Sequence, residues 1–157
     1  MKLKTQIVAI ALGLAASSSL VWSADRPARE TTTPTIVGVW QVVRHGVNCN
    51  DPNQVLSTFP AIVTFHGDGT MTGDTGGTDT TEYGSWRREP GSQNYSFRDV
   101  SYGYDENGDF ALSFVITSTV HLDTSNSWTY NASIEIFDAD GNLIFTACGR
   151  GTATRFE

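Results

Sequence analysis

The stretch FALSFVITSTVHL, residues 110–122, followed after a short polar gap by WTYNASIEI, residues 128–136, decides the fold class. In the first, Phe110, Leu112, Phe114, Ile116, Val120 and Leu122 share one face, and Ser113, Thr117, Thr119 and His121 share the other. In the second, Trp128, Tyr130, Ala132, Ile134 and Ile136 repeat the alternation. A period of two is the mark of a strand with one buried face, and Val, Ile, Thr and aromatic residues suit that pleated surface.

Working outward, six further runs have the same character: 36–45, 61–66, 70–73, 81–88, 95–104 and 143–155. None of the intervening segments repeats apolar residues at helical spacing over the eleven or so residues that would support a helix. Only 48–58 has room for a single helical turn. Asp105-Glu106-Asn107-Gly108-Asp109, Asp138-Ala139-Asp140-Gly141-Asn142 and His66-Gly67-Asp68-Gly69 supply residues that tolerate positive φ, as tight hairpins require. Eight amphipathic strands joined by short loops, with no helix to cover them, bury their apolar faces by closing on one another. The expected fold is therefore all-β, a single antiparallel eight-stranded up-and-down barrel.

The chain opens with Lys2 and Lys4, an uncharged apolar run at 7–14 and a small-residue exit through Val21 and Ser23. That pattern is a secretory signal peptide over 1–23, and its apolar run is well short of the roughly 20 residues that span a bilayer. A polar, proline-bounded leader follows at 24–34, and the barrel domain occupies 35–157. Removing the signal leaves 134 residues and, with Lys2 and Lys4 gone, takes the formal charge from −7 to −9. One domain of this size has a complete core. Such an acidic surface repels phosphate backbones and anionic lipid heads, so the expected partners include neither nucleic acid nor, after signal cleavage, membrane. The oligomeric state has no sequence signature. Export implies an oxidising compartment, periplasmic or extracellular, where the two cysteines, Cys49 and Cys148, are expected to form a disulfide.

Gly38-Val39-Trp40 is echoed by Gly84-Ser85-Trp86, each a glycine, one residue and a tryptophan on a strand. In a small barrel the glycine admits a close backbone and the tryptophan closes one end of the core. Together with Phe65-His66-Gly67-Asp68-Gly69-Thr70, Tyr83, Phe137-Asp138-Ala139-Asp140-Gly141-Asn142 and the late Arg155, these motifs resemble the calycin group. The likeness is to small secreted bacterial proteins with an allene oxide cyclase-like barrel, and more distantly to lipocalins. It covers 36–156. The resemblance implies an apolar interior able to hold a small hydrophobic molecule and, from lipocalins, a Trp40 packed under Arg155. It carries over no catalytic residue, and there is no convincing second lipocalin motif.

Nucleophilic hydrolysis is not indicated: there is no G-x-S-x-G elbow, and both cysteines are assigned to the disulfide. His45, His66 and His121 lack metal-ligand spacing and read as solvated. The Asp138 turn lacks the glutamate of a calcium loop, since the twelfth position is Gly149. No metal and no cofactor is expected. The residues expected to line a ligand site are Phe65, Tyr83, Phe97, Phe114, Trp128 and Tyr130. Any acid–base chemistry would fall to Arg44, Glu82, Tyr83, Tyr95 or Tyr130, with Glu135 less suited because it alternates with Ile134 and Ile136.

Three functions follow from this barrel. A purely apolar open cavity marks a carrier of a small hydrophobic or amphipathic ligand. An inward carboxylate or tyrosine beside an open cavity marks a cofactor-free cyclase or isomerase. A filled interior marks a protein-interaction module.

Overall fold

The computed structural model describes residues 35–77 and 80–156; the signal-peptide and leader assignments, 1–23 and 24–34, lie outside them. Eight strands run in chain order: β1 (Gly38–Asn48), β2 (Asp51–Phe65), β3 (Thr70–Thr75), β4 (Thr81–Arg88), β5 (Asn94–Tyr104), β6 (Phe110–Thr124), β7 (Ser127–Asp138) and β8 (Leu143–Arg155). Each pairs antiparallel with its chain neighbour. β1 also pairs with β8, from Trp40 opposite Arg155 to Val47 opposite Cys148, which closes the barrel and leaves no edge over that length.

Three of the turns use one device. In each, a residue exchanges backbone hydrogen bonds across the loop and a glycine sits at positive φ: Gly69 at 89°, Gly108 at 85° and Gly141 at 85°. Asp105 and Asp138 add side-chain acceptance. Asp105 takes the N–H groups of Asn107 and Asp109 at 2.8 and 2.9 Å, and Asp138 those of Asp140 and Asn142 at 3.0 and 2.8 Å. These bonds hold both exposed carboxyls below the usual aspartate range. The Asp138 motif is thus a hairpin turn.

The segment 48–58 departs from the expected loop or helical turn. Apart from the turn at Cys49 and Asn50 it is strand, the last residue of β1 and the first half of a long β2, with register shifts between the two. Its residues are nearly all exposed on both faces, so no burial imposes a period of two, and the strand leaves no alternation to read. Pro60 stands where pairing with β3 ends, so its missing N–H removes no ladder bond on that side.

The two ends of the barrel differ. At the end holding the start of β1, Trp40, Phe65, Tyr95, Leu122 and Trp128 are essentially fully buried, with Trp86 packed against them. Their rings meet edge-on or tilted at centroid distances of 5.9–6.2 Å, the favoured geometry for aromatic quadrupoles. Trp40 Nε1 donates to the Ile36 carbonyl at 2.7 Å and Trp86 Nε1 to that of His66 at 2.9 Å. The Arg155 guanidinium lies over Trp40 at 4.2 Å and donates to the carbonyls of Thr35, Val37 and Ser125. Trp40 therefore packs under Arg155, as the resemblance implied.

At the opposite end the disulfide Cys49–Cys148, Cα atoms 5.2 Å apart, ties the β1–β2 turn to β8 across 99 residues of sequence. Replacing both cysteines by alanine is expected to destabilise the domain by about 3 kcal/mol. Chain entropy alone gives about 4.7 kcal/mol for such a loop, but the β1–β8 ladder already holds the two segments together. Urea titration of the oxidised protein and the double variant measures the difference; equal midpoints would show that the ladder alone closes the barrel.

Candidate functional site

Between the disulfide-bearing rim and the aromatic plug the interior is not filled. A cavity of about 820 Å³ opens at the rim, within the range of sites that hold a small organic molecule. Its walls are apolar: Leu112, Phe114 and Ile116 from β6, Ala132 and Ile134 from β7, and Phe97 from β5, with Phe59 at the mouth.

Its floor is polar. Arg44 on β1 and Glu82 on β4 form a two-point ion pair, both N–O distances 2.7 Å, and Thr75 Oγ1 donates to Glu82 at 2.8 Å. The fork geometry of guanidinium on carboxylate is what allows both charges to be withdrawn from water. Burial works against the Arg44 charge, but the attraction and hydrogen bonds of Glu82 outweigh it and raise its pKa further. Tyr130 on β7 stands nearby; burial pushes its phenol up to about 12, with Arg44 pulling the other way.

Asp99 on β5 lies just behind this floor. It faces inward between Phe97 and Ser101, both of which line the cavity, but is 2% exposed and is not itself among the lining residues. Neither carboxyl oxygen has a hydrogen-bond partner among the described residues. Burial, with the Glu82 charge adding to it and Arg44 opposing, pushes the Asp99 carboxyl up to about 7. Ser118 on β6, paired with Phe97 across the β5–β6 ladder, is fully buried, lines the cavity and leaves its hydroxyl without a partner.

Three glycines permit close approaches around this floor. A Cβ at Gly73 would lie 2.5 Å from the Glu82 carboxylate; one at Gly84 would run into the Arg98 carbonyl and lie 2.7 Å from Asp99 Cα and Cβ; one at Gly151 would run into the Val43 carbonyl and lie 2.5 Å from the Tyr130 ring. Each glycine sits directly across a ladder from the residue it accommodates: Gly73 from Glu82, Gly84 from Asp99, Gly151 from Tyr130. An alanine at Gly73 would displace the Glu82 side chain, whereas one at Gly84 or Gly151 would press on the backbone of the neighbouring strand.

Of the six residues expected to line a ligand site, Phe97, Phe114 and Tyr130 line the cavity. Phe65 and Trp128 instead belong to the plug, because their strands carry them to the closed end. Tyr83 is 60% exposed on the outer wall, since its neighbour Glu82 takes the inward position. Among the acid–base candidates Arg44, Glu82 and Tyr130 face the cavity, whereas Tyr95 is buried in the plug with its hydroxyl unpartnered. Glu135 is not among the cavity-lining residues. Asp99 and Ser118 were not singled out from sequence. The signal was there: Tyr95, Phe97, Asp99 and Ser101 alternate, as do Ile116, Ser118 and Val120, so each polar residue stands on an apolar face.

His45, His66 and His121 bond to Thr58, Thr72 and Asn94, and among the described residues no group of three or more His, Cys, Asp or Glu side chains could hold a metal ion. No helix among the described residues is long and apolar enough to cross a membrane. Fold and site together define a closed β-barrel with an open apolar cavity and an ionisable floor. No protein-family model matches the chain, and no curated protein matches it significantly.

Proposed function

We propose that this is an exported, calycin-like barrel that holds a small amphipathic molecule, its apolar body against the β6 and β7 walls and its polar end on the Arg44–Glu82 floor, in front of Asp99. The observation that carries the reading is the open 820 Å³ cavity, apolar on its walls and polar at its base. The disulfide supports export to a periplasmic or extracellular compartment, in keeping with the signal-peptide pattern of 1–23. An open interior counts against a filled, purely protein-binding barrel.

Native mass spectrometry of the mature protein purified from its own host, with organic extraction of anything bound, tests the reading. The expected result is a co-purifying small molecule, or uptake of one from a lipophilic library. A clean unliganded mass after exposure to that library would overturn it.

A second reading is favoured by the inward carboxylates and Tyr130: a cofactor-free cyclase or isomerase acting on the bound molecule. A carboxyl poised near 7 and enclosed in apolar walls is suited to moving a proton at neutral pH. Conversion of an extracted ligand to an isomer by the wild type but not by the Asp99→Asn variant would establish it; recovery of the ligand unchanged from both would leave the protein a carrier.

A further inference from the structure

We infer that the floor of the cavity is a receptor for a protonated amine, so that the ligand is an amphiphile with a single ammonium head on an apolar body. The inference rests on the proposed binding function and names the chemical class of its ligand.

Charge balance on the floor leads to the ammonium. Arg44 and Glu82 form a two-point pair that is neutral overall, Thr75 takes up a further acceptor site on Glu82, and Arg44 Nε is left buried without a hydrogen-bond partner among the described residues. Asp99, just behind the floor, is then the surplus charge, 2% exposed and with both oxygens unpartnered among the described residues. A buried polar group without a partner is uncommon in a folded protein, and a buried carboxylate is best compensated by a cation that also donates hydrogen bonds. Ser118, equally buried and equally unpartnered, stands diagonally across the β5–β6 ladder from Asp99, through the Asp99–Ile116 and Phe97–Ser118 pairs. Side chains in that relation on one face of a sheet reach a common small group.

An ammonium has three donors and no acceptor. The carboxylate of Asp99 and the hydroxyl of Ser118 accept two or more of them, and the rings of Phe97 and Tyr130, tilted together at 6.4 Å, offer aromatic faces to the same charge. Asp105 and Glu106 line the mouth of the cavity, and the whole chain carries a formal charge of −7, so the approach favours cations. The surrounding length of the cavity, walled by Leu112, Phe114, Ile116 and Ile134, takes the apolar body.

Binding is coupled to the protonation of Asp99. The titratable groups facing it are Arg44 from β1, Glu82 from β4 and Tyr130 from β7, while β6 presents only Ile116 and Ser118 and β3 only Met71, Gly73 and Thr75. Burial sets the Asp99 carboxyl at about 7. Of the charged forms an ammonium could meet, only ionised Asp99 is uncommitted, so amine affinity rises with pH through neutrality.

The test is isothermal calorimetry with three probes of equal chain length, octylamine, 1-octanol and octanoate, at pH 6 and pH 8, on the wild type, Asp99→Asn and Ser118→Ala. Octylamine is expected to bind the wild type about tenfold or more tighter than 1-octanol at pH 8, the advantage of a charge-assisted hydrogen bond. Its affinity is expected to drop about tenfold at pH 6, following the ionised fraction of Asp99. In Asp99→Asn the preference for the amine and its pH dependence vanish while 1-octanol binding stays. Ser118→Ala, which changes no charge, weakens octylamine several-fold and keeps the pH dependence; should Asp99→Asn not fold, this variant and the wild-type pH profile decide. Equal binding of octylamine and 1-octanol, or tightest binding of octanoate through Arg44, would overturn the amine assignment and leave the cavity reading intact. Binding of none of the three would overturn both.

Discussion

Replacing Trp40 with alanine is expected to lower the stability of the barrel by about 3–5 kcal/mol, the range for emptying a buried tryptophan site. Trp40 is fully buried and is the hub of the closed end. One edge meets Trp128 at 6.0 Å, its face carries the Arg155 guanidinium, and its indole N–H holds the Ile36 carbonyl that leads the chain into β1. Alanine removes the ring, leaves that carbonyl without its donor and takes the platform from under an arginine that bonds three backbone carbonyls of two different segments. The site cannot collapse to fill itself, because the barrel wall around it is a continuous ladder that resists moving inward. Urea unfolding followed by far-ultraviolet circular dichroism reads the loss directly. A change of less than about 1 kcal/mol, the scale of an ordinary surface substitution, would show that Trp40 is not the keystone of the plug. Phenylalanine at the same position keeps part of the ring packing but not the N–H, and is expected to fall between the two.

The barrel was legible in the sequence and the depth of each inward side chain within it was not, for a physical reason. Strands announce themselves by alternation, and residues 110–122 and 128–136 alternate so regularly that barrel, turns and disulfide follow from them and their neighbours. Alternation reports only which face a side chain takes. How far along the barrel it lies depends on register, and register made Phe65 and Trp128 part of the plug while Phe97, Phe114 and Tyr130 reached the cavity. Tyr83 is a plainer case: the sequence offered both it and its neighbour Glu82, only one of which can face inward, and Glu82, with Arg44 and Thr75 inside, takes that place while the tyrosine is turned out. Asp99 passed unremarked because an aspartate on an apolar face looks like an interruption until its neighbours are known. Gly73 and Gly151 were equally silent, since the neighbours they make room for are distant in sequence, whereas Gly84, read as admitting a close backbone, does so against Arg98 and Asp99.

Asp99→Asn is expected to stabilise the protein at pH 8 and leave its stability almost unchanged at pH 4. The folded carboxyl, held near 7 by burial and by the Glu82 charge against the pull of Arg44, takes up a proton more readily than the same group in the unfolded chain. Below about pH 4, the unfolded value, Asp99 is protonated in both states and imposes no charge on the interior. As pH rises from about 4 to about 7 the unfolded chain ionises first, and stability is lost through that window. Above pH 7 the group is charged in both states and the penalty is constant, at about 4 kcal/mol for three pH units at about 1.4 kcal/mol each. Asparagine cannot ionise, so the difference between the two proteins isolates this group: near zero at pH 4, growing to about 4 kcal/mol in favour of the variant at pH 8, less whatever the unpartnered amide itself costs. Urea midpoints at half-unit intervals from pH 4 to pH 8 would trace the curve. A variant less stable than the wild type at pH 8 would mean that Asp99 is instead a structural partner of Arg44. The expected sign has a consequence for function. A barrel that could gain stability by one isosteric substitution, yet keeps a buried, unpartnered carboxylate beside its cavity, fits the proposal that the carboxylate serves ligand recognition. The same substitution that strengthens the fold is the one expected to abolish recognition of an amine.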